Sequence, residues 1–303
     1  MLFSDFAASK LAVRLPSPIE PFTPSWQGAD QVSLFIKRDD LIHPIISGNK
    51  WRKLKYALDT MPNDTKHIVS FGGGYSNHLH ACGYLCHKLG LQFTAIVRGD
   101  YSHSLTPMLK DLHHWNTNVE YVNKLTYKRR NDTDYLTALR TRFAAAYIIP
   151  EGGSQRAALK GMAELVEEES STHFNHFLVP VASGATLAGL AIAITPQQSA
   201  TGIAVLKGQG YLESLVKTFV GLPTAENNWY INHDYQCGGY AKTNTALQNL
   251  CDEMTNEYHV PVEPVYSGKV FLALKTLLAR GHFARNSRIL VIHTGGLQGL
   301  RQV

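Results

Sequence analysis

The sequence predicts an α/β fold of two open parallel-sheet lobes, and three observations predict it. Short β-rich runs alternate with amphipathic helical stretches along all 303 residues, the pattern of sheets layered with crossover helices. The strands run out into small residues: "HIVSF" into "GGGYSN", "FLVPV" into "ASGATLAG" and "RILVI" into "HTGG". In open α/β sheets that carboxyl edge is where ligands bind. With 44% hydrophobic and 17% charged residues, the chain can bury the core of one large domain or two modest ones.

Taken in order, "VSLFIKRDD" (32–40) reads as a strand leaving into a loop, and "WRKLKYALDTM" as a helix with Trp51, Leu54 and Leu58 at helical spacing. "HIVSF" (67–71) is a buried strand, followed by the helix "HLHACGYLCHKLG". "QFTAIVRG" (92–99), "NVEYVN" (118–123) and "AAYIIPEGG" (145–153) continue the strand series. "NHFLVPVASGATLAGLAIAI" reads as strand, turn and helix, and "GIAVLKG" (202–208) and "RILVIHTGG" (288–296) as further strands. Boundaries fall near 47–50 and within "EGGSQRAALKG". The expected organisation is a small α/β domain over 51–160 and a large domain from 1–50 plus 161–303, with a cleft between them.

Composition narrows the function classes. The net charge is +5, from 29 basic and 24 acidic residues, and the densest basic run is "YKRR" at 127–130. A nucleic-acid binder concentrates its charge and interleaves aromatics, so a small anionic partner fits better. No apolar run reaches the roughly 18 residues of a membrane span, and the first residues make a poor signal peptide. A cytoplasmic location is expected. Cys82 and Cys86 stand four apart on an apolar helix face, which favours buried thiols over a metal site, and no metal is predicted.

Three loops carry the chemistry. In "SFGGGYSNH" the glycines allow close backbone approach, and Ser76 or Asn77 caps a helix whose first N–H groups face an anion. An ordinary tight turn with a good cap fits that stretch equally well. In "ASGATLAG", Ser183 and Thr186 offer hydroxyls while Gly184 and Ala185 leave the backbone open. That loop is neither G-x-x-x-x-G-K-[ST] nor G-x-G-x-x-G, so nucleoside triphosphates and dinucleotides lose support. "HTGG", with Thr294, forms a third such edge. "SGNKWRKLKYAL" then places Lys50 at a helix start and Lys53 one turn on. Two anion loops and a helix-start lysine fit a phosphorylated cofactor held at one end and bound covalently at the other. On spacing alone, a solvated surface lysine is the better reading of Lys50, and Arg52 and Lys55 read as a solvated or interlobe face.

The ordered set "IKRDDL…SGNKWRKLKY", "GGGYSNH", "PEGGS", "SGATLAGL", "EPVYSGK" and "ILVIHTGG" resembles the D-cysteine desulfhydrase and 1-aminocyclopropane-1-carboxylate (ACC) deaminase family. These are pyridoxal 5′-phosphate enzymes of the tryptophan-synthase-β-like fold, fold type II. The resemblance runs from about residue 32 to 297. It implies Lys50 as the Schiff-base lysine, Lys53 near the phosphate, and Ser183, Gly184, Ala185 and Thr186 as the phosphate loop. It further implies Asn77 at the ring oxygen, Ser76, Asn77 and His78 with the 72–78 backbone around the substrate carboxylate, and Ser76 as a catalytic group that alternatively assists proton transfer. Tyr266 matches an active-site tyrosine, Tyr240 of "GGYAKTN" a second one, and Thr294 a cofactor contact. Ser267 falls where the family places the group facing the pyridine nitrogen. ACC deaminases are expected to carry glutamate there, and a hydroxyl supplies no charge to keep that nitrogen protonated. The balance favours β-elimination from a small amino acid, D-cysteine to pyruvate, ammonia and hydrogen sulfide, over cyclopropane opening. A non-catalytic ligand-binding protein is the third reading, and Lys50 argues against it. The family also suggests a homodimer.

Overall fold

The computed structural model describes residues 2–144, 146–168, 173–221 and 228–301. The first part of the chain forms α1 (Phe3–Leu11), β1 (Ile19–Phe22), β2 (Ser33–Lys37), α2 (Asn49–Thr60), β3 (His67–Gly73), α3 (Asn77–Leu89) and β4 (Gln92–Arg98). Next come α4 (Pro107–His114), β5 (Asn118–Val122), α5 (Lys124–Lys128), α6 (Thr133–Arg142), β6 (Tyr147–Ile149) and α7 (Arg156–Glu167). The chain continues through β7 (His176–Val181), α8 (Ala185–Ala193), β8 (Ser199–Ala204), α9 (Tyr211–Val220) and β9 (Trp229–Asn232). It closes with α10 (Thr245–Asn256), α11 (Ser267–Ala279) and β10 (Arg288–Ile292).

Two sheets result. The larger has the order β1-β2-β10-β7-β8-β9 and the smaller β5-β4-β3-β6. Every pairing is parallel except that of β1 with β2. All the strands of the smaller sheet come from residues 67–149. The strands run Val/Ile/Leu-rich because helices cover both faces. In β10, Ile289 and Val291 enter one apolar cluster while Leu290 and Ile292 enter the cluster on the opposite face, as the two-residue period of a strand requires. β3 divides in the same way, Ile68 to one side and Val69 and Phe71 to the other.

The expected strands all appear, with shifted ends. The 202–208 reading becomes Ser199–Ala204, because residues 205–210 turn into α9. The 145–153 reading narrows to Tyr147–Ile149, and Ala145 lies outside the described residues. β1 and β9 escaped the sequence reading: β1 is a short edge strand that carries a proline, which edges tolerate.

Parallel pairing brings the exits of β3, β6, β7 and β10 to carboxyl edges. The turns after them (74–77, 150–154, 182–185 and 293–296) converge on the start of α2. Gly48 makes the closest approach. Its φ is +64°, and a Cβ there would stand 1.8 Å from the carbonyl oxygen of Thr294, so no side chain fits between α2 and the β10 turn.

Candidate active site

Lys50 is half-buried at the second position of α2 and donates a hydrogen bond to the Asn49 side chain. Burial pulls its amine down to about 8, against smaller opposing effects of Cys82 and the Glu263 carboxyl. Asn49 itself donates to Thr186 Oγ1 at 3.2 Å, tying the lysine helix to the 183–186 turn. Lys53 lies one turn further on and is buried; desolvation, then the neighbouring Lys50, drives its amine well below its ordinary value. Among the described residues Lys53 Nζ has no hydrogen-bond or ion-pair partner.

His78 packs beside the two lysines. A methyl on Gly153 would stand 3.3 Å from Lys53 Cβ and 3.4 Å from His78 Cε1, so the three residues meet there. Ser70 gives its hydroxyl proton to the Ile149 carbonyl at 2.7 Å, so His78 Nε2, 2.7 Å from Ser70 Oγ, is the donor in that contact. Burial and the two lysines hold the imidazole neutral, at about 3. The ring is therefore packed beneath the lysines, with Cys82 Sγ 3.7 Å from it.

The 183–186 turn opens α8 with Gly184 at φ +82° as its N-cap, Ala185 and Thr186 forming the first helical turn. Ser183 and Ser154 hydroxyls stand 2.5 Å apart, which brings the 150–154 turn of one sheet against the 182–185 turn of the other. On the far side, Ser76 caps α3, accepting from the Leu79 amide at 3.2 Å. Asn77 accepts from Gln298 Nε2 at 2.6 Å, which fixes its Oδ1 and leaves its amide nitrogen as donor. That nitrogen lies 2.8 Å from where a Cβ on Gly296 would fall, and Glu263 Cγ 3.6 Å from the same point. Thr294 is buried at the same turn.

Tyr266 and Tyr240 meet hydroxyl to hydroxyl at 2.8 Å. Burial and its tyrosine neighbour push the Tyr266 phenol well above its ordinary value, so it stays protonated. Ser267 begins α11, and its hydroxyl donates to Glu263 Oε1 at 3.1 Å. The Glu263 carboxyl also receives the backbone amides of Val265, Tyr266 and Ser267 at 2.7–3.1 Å. Burial still outweighs those bonds and raises it to about 7.

The structure thus links the lysines, the four turns, Asn77, His78, both tyrosines and Ser267 through a chain of close contacts. Glu263 and Gln298 were missed by sequence reasoning. Glu263 stood in the quoted "EPVYSGK" without a role, since nothing local distinguishes a capping carboxylate from a buried acid. Gln298 lies 221 residues from Asn77, beyond any local pattern. The solvated reading of Arg52 is corrected: its side chain is fully buried in ion pairs with Asp39 at 2.7 Å and Glu168 at 2.8 Å. Lys55 pairs with Glu164 on α7 at 2.7 Å. Among the described residues no cluster of three His, Cys, Asp or Glu stands ready for a metal ion, and no helix is long and apolar enough to cross a membrane.

Comparison with known proteins gives this geometry its chemistry. The family model described as "Pyridoxal-phosphate dependent enzyme" matches residues 16–295. Proteins of Pyrococcus horikoshii and Pyrococcus furiosus, both named provisionally as 1-aminocyclopropane-1-carboxylate deaminase, are each 29% identical over 90% of this chain and 86% of their own length. A crystal structure of an ACC deaminase homologue superposes with TM-score 0.80 at 25% identity, covering 97% of this chain and 95% of that one. The processed form of threonine deaminase isoform 2 from Solanum lycopersicum shares the fold, with TM-score 0.68 at 13% identity over 97% of this chain and 89% of that one. The two-sheet architecture is that of fold type II, and the chain belongs to the family of pyridoxal-phosphate dependent enzymes.

Proposed function

We propose that this enzyme removes ammonia from a small α-amino acid by β-elimination, with D-cysteine as substrate and pyruvate, ammonia and hydrogen sulfide as products. The observation that carries the reading is Lys50: an amine brought to about 8 by burial, at a helix start beside the buried Lys53.

The residues present fit the cofactor. Lys53, Lys50 and the start of α8 form a buried positive corner without an acidic partner of its own for Lys53. A dianionic phosphate supplies that missing charge, and the α8 amides with Ser183 and Thr186 offer donors to it. Lys50 is the amine for the cofactor aldehyde, and Asn77, its oxygen already engaged, offers an N–H to the ring. When bound, the cofactor supplies an electron sink beside the substrate α-carbon.

The chain's own groups do the rest. Amides of the 73–77 turn receive the substrate carboxylate and orient the α-hydrogen. Lys50 Nζ, neutral in part at physiological pH, takes that proton. Sulfur leaves the β-carbon with the bonding pair and takes a proton from the Tyr266 hydroxyl, which Tyr240 refills from its exposed side; the released three-carbon enamine tautomerises to the imine and adds one water, giving pyruvate and ammonia. Ser267, a hydroxyl where glutamate is expected for ACC deaminases, supports elimination over ring opening.

A second reading, ACC to 2-oxobutyrate and ammonia, draws on the Pyrococcus names and on Glu263, a buried carboxyl that can hold a proton near neutrality and bonds to Ser267. Incubation with D-cysteine, L-cysteine, D-serine and ACC separates the two: pyruvate and sulfide from D-cysteine support elimination, and 2-oxobutyrate from ACC alone overturns it. Borohydride treatment of the yellow holoenzyme should place the reduced label on Lys50; a label elsewhere removes its assigned role. Residues 51–160 as a small α/β domain, a second copy of the chain as partner, and a cytoplasmic setting belong to the same reading. Limited proteolysis, light scattering and cell fractionation test them in turn.

A further inference from the structure

Lys269 takes no part in the chemistry above, yet it is among the most completely buried cations in the molecule. It sits on the first turn of α11, two residues beyond Ser267, and is 0% exposed. No carboxylate pairs with it among the described residues. Its ammonium instead donates to three backbone carbonyls: Val205 at 3.1 Å, Gln236 at 2.9 Å and Gly239 at 2.9 Å. Three donors meet three acceptors, so the group is saturated without a counter-ion.

Two of those carbonyls belong to the loop between β9 and α10. Tyr235 anchors that loop in an apolar cluster and His233 meets Glu213 at 2.6 Å near its start, while Asp234, Gly238, Tyr240 and Ala241 are exposed. It also contains four residues in the left-handed region, Cys237, Gly238, Gly239 and Ala241, at φ of +53°, +93°, +132° and +54°. Non-glycine residues adopt that region at a cost unless the surroundings over-determine it. Gly239 immediately precedes Tyr240, whose hydroxyl meets Tyr266. Val205, the third carbonyl, follows β8 and so ties the loop to the large sheet.

We propose that Lys269 is a tethered cation that positions the Tyr240 loop, and that its carbonyl cage binds a small monovalent cation when the side chain is cut away. The positioning half rests on the reading of Tyr240 as a proton-handling residue; the cage does not. The donor–acceptor distances of 2.9–3.1 Å suit ammonium, and a quaternary ion has no N–H to offer.

Hydrogen exchange on the holoenzyme tests this without needing a substrate. In Lys269→Ala, peptides spanning 233–242 should exchange about tenfold faster or more, as for the loss of charge-assisted hydrogen bonds, while those spanning 67–98 stay unchanged. Ammonium or potassium chloride should restore protection saturably, and tetramethylammonium chloride at equal ionic strength should not. Lys269→Met, which refills the stem but not the charge, should exchange fast and resist restoration. Unchanged loop exchange in the methionine variant overturns the proposal, even where the alanine variant fails to fold. Equal recovery with tetramethylammonium overturns the cage. With whichever amino acid is turned over, Lys269→Ala should lower kcat more than it alters KM and add nothing to Tyr240→Phe. Additive losses would confine Lys269 to stability. A wild-type protein without turnover strikes the substrate assignment and leaves the exchange result standing.

Discussion

Two sets of buried cations lie within four residues of each other on α2, and they are treated in opposite ways. Arg52 is enclosed by carboxylates: Asp39 takes Nε and Nη2 at 2.7 and 2.8 Å, and Glu168 takes Nη1 and Nη2 at 2.8 and 2.9 Å. Lys37 joins Glu168 at 3.3 Å, and Ser17 donates to Asp39 at 2.6 Å, so that corner is compensated from every side. Lys50, Lys53 and His78 face the other way, where Glu263 is the one carboxyl that acts electrostatically on Lys50, and their proton affinities fall. A paired buried charge locks two parts of the chain together. An unpaired one lowers stability unless an anion arrives. The contrast separates scaffold from site.

The largest way to break the comparison is at Lys50. Lys50→Ala should lower turnover by about a thousandfold or more, in the range expected for a removed general base, with cofactor-free melting little changed. Retained turnover would remove the lysine from the mechanism. Arg52→Met should act in reverse. It strands Asp39 and Glu168 and should cost about 3–5 kcal/mol in urea unfolding, while any protein that folds still accepts cofactor on Lys50.

Glu263 gives a pH signature. Its carboxyl titrates near 7 when folded against 4.5 ordinarily, so the native state holds the extra proton between those values. Stability of the cofactor-free enzyme should therefore fall as pH rises from about 4.5 to about 7, by on the order of 3 kcal/mol. Glu263→Gln should flatten that slope, measured as unfolding free energy at several pH values; an unchanged slope assigns it to another group.

Lys53→Met sharpens the contrast with Arg52 by sign. Removing an unpaired buried ammonium should leave the cofactor-free protein as stable or more so, yet weaken cofactor binding by about ten- to a hundredfold, the loss of a charged hydrogen bond. Titration of the visible band reads the affinity. A melting loss like that of Arg52→Met would place Lys53 with the scaffold. Lys55→Ala should show the smallest effect, about 0.5 kcal/mol, because its pair with Glu164 keeps partial access to water.

Much of the fold was legible because parallel strands and their helices announce themselves locally. "HIVSF", "QFTAIV", "FLVPV" and "RILVI" are apolar throughout, and each ends where glycine and serine begin. The loops that follow were legible as anion-binding by composition, and Lys50 by its place among them. Arg52 was not: its neighbours Lys53 and Lys55 made it look like one more basic residue on a helix surface. Ser267 was read by itself; that Glu263, four residues earlier, folds back to accept its hydroxyl proton is not written in the local spacing.

By itself, then, the sequence determined the parallel α/β framework, the glycine-bearing turns and the order in which they occur, since these follow from periodicities of two and 3.6 residues and from which residues tolerate tight turns. Tertiary structure alone decided which of the adjacent cations on α2 is neutralised and which is left for an anion. The partners that settle it are remote, Glu168 standing 116 residues from Arg52 and Gln298 standing 221 from Asn77. Electrostatic energy depends on distance through space and on burial, and neither is written in the local spacing of residues.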